Sequence, residues 1–302
     1  MSKKIIVIGS CNTDMVINAN HLPVPGETVM GGEFMMNSGG KGANQAVAVA
    51  RLQGNVYFIA KTGNDLFGRR SIEQYKDEGI HVEYISSDAS LPSGVALIIV
   101  DEQGENCIAV ASGANGLLCP QDIEKAHAII EEGDLLLMQL EIPMETVEYA
   151  ARIAKQKGKR VVLNPAPARA LSAELLSNLY MIVPNESEAE FLSGIKVADW
   201  ESARKATDII SDKGVEVVAI TLGAKGAFIK EGNKYYEVTN NKVKAIDTTA
   251  AGDTFCGALC VALAEDKSVL DAVRFACKCA SVTVTRAGAQ SSLPYRKEID
   301  KL

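Results

Sequence analysis

The stretch D-T-T-A-A-G-D-T-F, residues 247–255, places an aspartate directly after a turn of small residues. Apolar residues with helical spacing (Phe255, Leu259 and Leu263) begin at the same point, which predicts a helix that starts at about residues 250–253. The first turn of a helix has free backbone N–H groups, which bind anions. The pattern therefore puts a carboxylate, that of Asp253, beside a predicted anion hole, and we expect that hole to keep Asp253 ionised.

Side chains that could bind hydroxyl groups follow two apolar runs. Asn12 and Asp14 lie in S-C-N-T-D after the first run, and Glu141 ends the run L-L-L-M-Q-L-E. A carboxylate accepts hydrogen bonds from two O–H groups, and an amide can both donate and accept. The set suits a ligand with vicinal hydroxyls, although Asn12 and Asp14 taken alone also fit an Asx turn.

The segment S-G-G-K-G-A-N-Q-A, residues 38–46, places three glycines around one lysine before a predicted helix. It does not match the P-loop, because the glycines are too close together and no hydroxyl residue follows the lysine. Two interpretations stay open. The backbone could approach a polar ligand, with Lys41 and Asn44 reaching it, or the segment could be a plain glycine turn that starts a helix.

Acidic residues also follow a strand in P-N-E-S-E-A-E, where Asn185 and Glu188 lie at a predicted helix start. Acids in a first turn suit the helix dipole, so capping explains them. A magnesium–phosphate role explains them equally, because Mg²⁺ is held through one or two carboxylates, waters and phosphates. T-L-G-A-K-G, residues 221–226, ends another apolar run and lacks the dinucleotide fingerprint G-x-G-x-x-G.

Apolar, β-branched runs predict the strands that position these residues, at 5–10, 56–63, 135–141, 161–165, 181–186 and 217–223. Helical patterns alternate with them at 41–53, 67–78, 121–131, 144–157, 187–193, 201–213, 252–265 and 268–285. This alternation predicts an α/β fold with a central, mostly parallel sheet flanked by helices. Ligands gather at the carboxyl ends of such strands, so the polar residues should share one site.

Two segments interrupt the alternation. Residues 13–36 and 92–111 alternate apolar and polar residues in places, as half-exposed antiparallel strands do. We predict that they pair into a small β-sheet lid over the strand ends; the alternative is two unrelated surface hairpins. Because the sequence contains no linker and no internal repeat, residues 1–302 are predicted to form a single domain.

Hydroxyl-binding side chains and an anion hole at one site indicate phosphoryl transfer to an alcohol. That reaction needs a base at the attacking hydroxyl and donors for the charge on the phosphoryl oxygens. A non-catalytic sugar sensor would require neither Asp253 nor the glycine turn. A nicotinamide dehydrogenase would require the fingerprint that is missing.

Composition narrows the class of protein further. The 302 residues are 47% hydrophobic and 23% charged, as in a soluble globular protein, and the net charge of -7 argues against nucleic-acid binding. We find no signal peptide and no apolar run approaching the ~20 residues of a membrane span. Seven cysteines without a C-x-x-C pair predict reduced thiols and a cytoplasmic protein. The three histidines lack metal-ligand spacing, which argues against a zinc enzyme.

The motif A-A-G-D-T-F at 250–255, with G-G-K-G-A-N-Q-A at 39–46 and N-x-x-E at Asn185 and Glu188, resembles the carbohydrate kinases of the ribokinase (PfkB) family. Supporting stretches, among them P-G-E-T-V, L-N-P-A-P-A-R and T-R-A-G-A-Q-S-S-L-P-Y, follow the family's order over nearly the whole chain. The resemblance implies the fold above and ATP-dependent phosphorylation of D-ribose at O5, with Asp253 as the general base. A kinase of another sugar or nucleoside in the same family is the alternative.

The resemblance also implies a role for each candidate residue. The positions that hold ribose match Asn12, Asp14, Gly40, Lys41, Asn44, Glu141 and Asp253. The positions around ATP match Asn185, Thr221, Gly223, Lys225 and Gly226, with Gly252 and Asp253 at the anion hole, and Glu188 matches the acid associated with Mg²⁺ and phosphate. A site for an activating K⁺ matches Asp247, Thr249, Thr283, Arg286, Gly288 and Ser292. The family's dimer, which pairs through the lid sheets, implies a homodimer.

Overall fold

A computed structural model describes residues 3–30, 32–240 and 242–302. Within these ranges the strands are β1 (Lys4–Ile8), β2 (Asn12–Asn18), β3 (Phe34–Gly39), β4 (Asn55–Gly63), β5 (Ile85–Asp88), β6 (Gly94–Val100), β7 (Asn106–Ala111), β8 (Leu135–Met138), β9 (Arg160–Leu163), β10 (Met181–Ile182), β11 (Val217–Thr221), β12 (Ala227–Glu231) and β13 (Lys234–Val238).

The helices in the same ranges are α1 (Lys41–Arg51), α2 (Leu66–Asp77), α3 (Pro120–Lys125), α4 (His127–Glu132), α5 (Met144–Gln156), α6 (Ala173–Asn178), α7 (Glu186–Ser193), α8 (Trp200–Ser211), α9 (Ala251–Ala264), α10 (Val269–Thr283) and α11 (Arg296–Ile299). Short 3₁₀ helices lie at Gly113–Leu117, Gly223–Lys225 and Gln290–Ser292. No helix of the described ranges has both the length and the apolar character needed to cross a membrane.

The large sheet has nine strands in the order β13-β12-β11-β10-β9-β8-β1-β4-β5. The strands from β11 to β5 run parallel, and β12 and β13 add an antiparallel edge. Alternate residues of β1 face opposite sides, with Ile5 and Val7 in one core and Ile6 and Ile8 in the other. Helices α1, α9 and α10 cover the first core, and α3 to α8 cover the second. The predicted α/β fold with a mostly parallel sheet is confirmed.

A second, smaller sheet has the order β3-β2-β6-β7 and is called the small sheet below. β2 pairs with both β3 and β6 from its first residue, Asn12, which lies opposite Gly39 and Gly94. The two interrupting segments thus supply strands of one sheet, and the alternative of unrelated hairpins is wrong. The strands of the small sheet extend beyond the predicted segment 13–36, because β2 begins at Asn12 and β3 ends at Gly39. Gly31, inside the first segment, lies outside the described residues, as do residues 1, 2 and 241 of the predicted domain.

Candidate active site

Helix α9 begins at an unusual backbone conformation. Ala250, the residue before it, is left-handed with φ 59° and ψ 8°. In the described residues, no backbone carbonyl accepts from the N–H groups of Gly252 or Asp253, and open space surrounds the position where a Gly252 side chain would lie. The predicted helix start therefore presents two free backbone donors, as anion binding requires.

The carboxylate of Asp253 is buried, with 6% of the residue exposed, and both of its oxygens are hydrogen-bonded. Asn44 Nδ2 donates to Oδ2 at 2.9 Å, and Gln45 Nε2 donates to Oδ1 at 3.0 Å. Both amides come from α1, which packs closely against α9 because Gly257 has no side chain. A Cβ on Gly257 would lie 2.7 Å from Ala48 Cβ.

Burial raises the pKa of Asp253 above its ordinary value, while the Lys41 ammonium and the two amide donors oppose that rise. Conversely, Asp253 is the largest cause that raises the pKa of Lys41. The structure thus adds Lys41, Asn44 and Gln45 to the helix start as groups that favour the ionised form of Asp253. Desolvation acts in the other direction, and a base with a raised pKa is closer to the working pH.

Three predicted sugar-binding residues lie on the side of Asp253 nearest the small sheet. Glu141 Oε2 accepts from Ser10 Oγ at 2.5 Å and from the Lys41 backbone N–H at 3.0 Å. Asn12 Oδ1 accepts from Asn115 Nδ2 at 2.8 Å, which leaves its own NH₂ group to donate elsewhere. No described group donates a hydrogen bond to the carboxylate of Asp14.

Gly40, another predicted sugar-binding residue, is required by a close approach of backbone. It has φ +87°, and a Cβ there would lie 2.8 Å from the backbone nitrogen of Asn12 and 2.9 Å from Cys11 Cα. Helix α1 starts at the next residue, so its first turn lies against the start of β2. The segment 38–46 thus starts helix α1 and also brings Lys41 close to the carboxylate of Glu141 and Asn44 close to that of Asp253.

On the other side of Asp253, a cleft of about 200 Å³ is lined by Lys41, Asn164, Ala166, Val183, Asn185, Glu188, Thr221, Thr248, Ala250, Gly252, Asp253 and Cys256. Asn185 and Glu188 form a reciprocal cap, in which Asn185 Oδ1 accepts from the Glu188 N–H at 2.8 Å and Glu188 Oε2 accepts from the Asn185 N–H at 2.9 Å. Burial raises the pKa of Glu188. Thr221 pairs with Asn185 through a parallel bridge. Asn185 and Glu188 therefore cap α7 and also line the cleft.

Three other predicted nucleotide residues lie beyond Thr221 and do not line this cleft. Lys225 Nζ donates to the Ala198 carbonyl at 2.6 Å, and Asn240 Nδ2 donates to the Gly223 carbonyl at 2.9 Å. Gly226 has φ +113°, and a Cβ there would lie 1.8 Å from the Val238 carbonyl oxygen. Gly226 is thus needed for the turn between β11 and β12, and an ATP contact for all three residues stays a prediction.

The predicted K⁺ residues lie in the loop before α9 and in the segment that runs from Thr283, the last residue of α10, to Ser292 in a 3₁₀ helix. Asp247 accepts from the N–H groups of Thr249 and Gly288, both at 2.8 Å. Partial burial raises its pKa, but hydrogen bonding from the Thr249 side chain and from these two N–H groups brings the pKa below the ordinary value. The Thr283 and Ser292 side chains are fully buried. The guanidinium of Arg286 forms an ion pair with Glu298 at 2.6 Å, so only its backbone carbonyl is available.

A sequence comparison decides the family. The model of the pfkB family of carbohydrate kinases matches residues 2–296. The chain belongs to this family. The chain is 48% identical over 298 residues to a curated ribokinase from Haemophilus influenzae, covering 99% of this chain and 97% of the relative. It is 37% identical over 298 residues to a deoxyribokinase from Salmonella typhimurium, covering 98% and 97%.

A solved ribokinase structure has the same fold. The structure of Arabidopsis thaliana ribokinase complexed with ribose and ATP superposes with a TM-score of 0.94 and 32% sequence identity, covering 100% of this chain and 98% of that one.

Sequence reasoning missed several polar residues of the site, namely Ser10, Gln45, Asn115, Gln139 and Asn164. Gln45 donates to both Asp253 and Asn164, and Asn164 donates to the Val183 carbonyl. Two signals were present in the sequence. Gln45 is four residues after Lys41, hence on the same helix face, and Asn164 directly follows an apolar run.

Proposed function

We propose that the chain catalyses ATP-dependent phosphorylation of D-ribose at O5, giving D-ribose 5-phosphate. The observation that carries the proposal is the position of Asp253, whose buried carboxylate adjoins two free helix N–H groups and two further carboxylates, Asp14 and Glu141. The similarity to ribokinases over the whole chain supports ribose as the acceptor.

In the proposed reaction, Asp253 takes the proton as the ribose O5–H bond breaks. O5 forms a bond to the γ-phosphorus, the bond from that phosphorus to the β,γ-bridging oxygen breaks, and ADP leaves. The N–H groups of Gly252 and Asp253 donate to the phosphoryl oxygens, and the Lys41 ammonium adds positive charge beside them. Asn12, Asp14 and Glu141 would hold the sugar hydroxyls, with Gly40 allowing close approach.

A divalent cation, Mg²⁺, fits the nucleotide side of the site. In the described residues no group of three or more His, Cys, Asp or Glu side chains could hold a metal ion. Glu188 alone therefore suits an ion that is bound mainly by phosphates and waters. When bound, Mg²⁺ would neutralise charge on the β- and γ-phosphates.

A monovalent cation, K⁺, fits the loops around Asp247. Asp247 supplies a carboxylate, and no described N–H group donates to the carbonyls of Thr249, Arg286 or Gly288. An all-oxygen donor set of carbonyls and one carboxylate suits K⁺. When bound there, K⁺ would stabilise the backbone that leads into the anion hole.

We further propose that residues 1–302 form one domain, that the small sheet serves as a lid over the sugar, and that two copies pair through these lids. The strands of the small sheet carry Asn12 and Asp14, which supports the lid, and they expose apolar side chains, which supports the dimer. The cysteines are all free, in keeping with a cytoplasmic protein.

One assay over a panel of acceptors tests the proposed substrate. ADP formation is measured in a coupled assay with ribose, 2-deoxyribose, other sugars and nucleosides. We expect kcat/KM for ribose to exceed that for every other acceptor by at least about tenfold, because a lost hydroxyl contact leaves buried polar groups unpaired. A higher kcat/KM for 2-deoxyribose would instead support the alternative that the similarity to a deoxyribokinase suggests.

Replacement of Asp253 tests the mechanism. We expect Asp253→Asn to lower turnover by at least about a thousandfold, since an amide cannot accept the hydroxyl proton. Binding of ribose and ATP, measured by calorimetry, should change less than about tenfold because the shape of the side chain is kept. Turnover within a few-fold of the parent would exclude Asp253 as the base.

A further inference from the structure

A chain of buried amides runs behind the carboxylate of Asp253. Gln45 Nε2 donates to Asp253 Oδ1 at 3.0 Å and to Asn164 Oδ1 at 3.2 Å. Gln45 Oε1 accepts from Gln139 Nε2 at 2.5 Å, and Asn164 Nδ2 donates to the Val183 carbonyl at 3.1 Å. Gln45 and Gln139 are fully buried, and 7% of Asn164 is exposed. Residues of α9 and residues that directly follow β8 and β9 therefore meet at the side chain of Gln45 in α1.

These contacts fix the orientation of the Gln45 amide. Its NH₂ group has two N–H donors, and both are used, one on the carboxylate and one on Asn164. A flipped amide would turn Oε1 toward the Asp253 carboxylate and bring its NH₂ group against the NH₂ group of Gln139. Since Gln139 directly follows β8 and Asn164 directly follows β9, the ends of two adjacent strands hold Gln45 in place.

We infer that Gln45 is a positioning residue, which orients the Asp253 carboxylate and favours its ionised form through a hydrogen bond supported by Gln139 and Asn164. This inference rests on the proposed role of Asp253 as the base. Asn44, the other donor, is also a predicted sugar-binding residue. Gln45 lies behind the carboxylate and is fully buried, so it does not itself contact the substrate.

Other charged and titratable groups face Asp253 from each neighbouring element, and none of them replaces the Gln45 donor. They are Lys41 from α1, Asp14 from β2, Glu141 after β8, Glu188 from α7 and Cys256 from α9 itself. Lys41 favours the charged form of Asp253, while Asp14, Glu141 and Glu188 disfavour it. Removal of one amide donor would therefore shift the titration of Asp253 upward.

The test measures the single-turnover rate of phosphoryl transfer against pH for Gln45→Met and Gln139→Leu. Gln45→Met keeps the side-chain length and removes the donor to Asp253. We expect its rate at neutral pH to fall about 10- to 100-fold, the acidic midpoint of the profile to move up by about one pH unit, and KM for ribose and ATP to change less than about threefold. Gln139→Leu removes only the support of Gln45, so we expect a smaller shift in the same direction.

Thr146→Val is the matched control. Thr146 is fully buried and donates to the Leu118 carbonyl at 2.7 Å, away from Asp253, so its loss lowers stability without moving the acidic midpoint. Thermal unfolding of each variant separates stability from chemistry, and Gln139→Leu decides the question if Gln45→Met does not fold. A folded Gln45→Met or Gln139→Leu with the parent's midpoint and rate overturns the inference. Asp253→Asn in the same assay shows which proposal such a result overturns. If Asp253→Asn is inactive, only the positioning role of Gln45 has failed. If Asp253→Asn is active, the proposed base itself is refuted.

Discussion

At the scale of single residues, the candidate site places the carboxylates of Asp14, Glu141 and Asp253 around the ammonium of Lys41. The pKa of Asp14 is raised to about 6, first by burial and then by the carboxylates of Glu141 and Asp253, while Lys41 opposes the rise. Its carboxylate has no described hydrogen-bond donor. A partly buried, ionised carboxylate without a hydrogen-bond donor lowers the stability of the folded chain. A ligand that supplies O–H donors would remove this cost.

The first prediction concerns Asp14→Asn. Because the folded pKa lies above the ordinary value of 3.8, the stability of the parent declines as pH rises from about 4 to about 6 and stays lower above that range. We expect Asp14→Asn to raise the free energy of unfolding at pH 8 by roughly 1–3 kcal/mol and to change it little at pH 4. We also expect kcat/KM for ribose to fall at least about a hundredfold at pH 8, since an ionised acceptor is lost. Urea unfolding at both pH values and the coupled assay measure the two effects.

Asp77→Asn is the control for this prediction, because Asp77 is an exposed aspartate at the end of α2. It should leave both unfolding and catalysis within error of the parent. A destabilised Asp14→Asn at pH 8 would contradict the proposed balance of charges, and an unchanged kcat/KM would contradict the role of Asp14 in sugar binding.

The residues that the sequence identified are those with a recognisable local setting. Asp253 follows a turn of small residues at a helix start, and Asn12, Asp14 and Glu141 follow apolar runs. Gln45 shares a helix face with Lys41, but nothing in its local sequence shows that it contacts Gln139, which lies 94 residues away in the chain. An amide in a helix or after a strand is ordinary until the packing shows which carboxylate it faces.

At the scale of elements, the proposed anion hole depends on how the loops before α9 and after α10 hold the start of α9. The Ile246 and Asp247 N–H groups donate to the Val284 carbonyl at the end of α10, and Asp247 accepts from Gly288. Thr254 Oγ1 lies 2.9 Å from Thr283 Oγ1, which ties the first turn of α9 to the last turn of α10. The loop conformation, including left-handed Ala250, is thus set by neighbours on both sides.

The second prediction is activation by K⁺ through these loops. At equal ionic strength we expect turnover in KCl to exceed that in NaCl or choline chloride several-fold, because an ordered anion hole needs no reorganisation during the reaction. Asp247→Asn should reduce the ratio of the KCl rate to the NaCl rate toward one. The coupled assay at saturating ribose and ATP gives the rates. Identical parent rates in all three salts would remove the cation site from the mechanism.

The central strands could be predicted because each is a continuous apolar run, whereas the peripheral elements lack such a run. β5 is I-S-S-D, and its pairing with β4 depends on residues 25 or so positions away rather than on its own composition. The hairpin of β12 and β13 did carry a sequence signal, the two-residue Gly232-Asn233 turn between alternating residues. The predicted helix at 121–131 is divided at Ala126, where the backbone leaves the helical conformation.

At the scale of the whole molecule, the small sheet is where apolar surface remains uncovered. Phe34, Leu97 and Ile17 are 60%, 55% and 43% exposed. Ile17 pairs with Phe34, and Met15, two residues before Ile17, pairs with Leu97, so the three side chains project from one face of the small sheet. Contiguous exposed apolar surface marks an interaction site, and a second copy of the chain would be a self-complementary partner.

The last prediction is that this sheet forms the interface of a homodimer. We expect the parent to sediment at twice the 32.2 kDa mass of one chain and Leu97→Glu to sediment as a monomer, since a buried, unpaired carboxylate opposes association. Leu66→Glu is the control, because Leu66 is 70% exposed in α2 and lies outside the small sheet. Leu97→Glu should fold normally, as Leu97 is exposed in the single chain, so its thermal unfolding at low concentration should match that of the parent monomer. If the parent is monomeric at micromolar concentration, or if Leu97→Glu keeps the parent's mass, the face of the small sheet with Ile17, Phe34 and Leu97 is not the contact between copies.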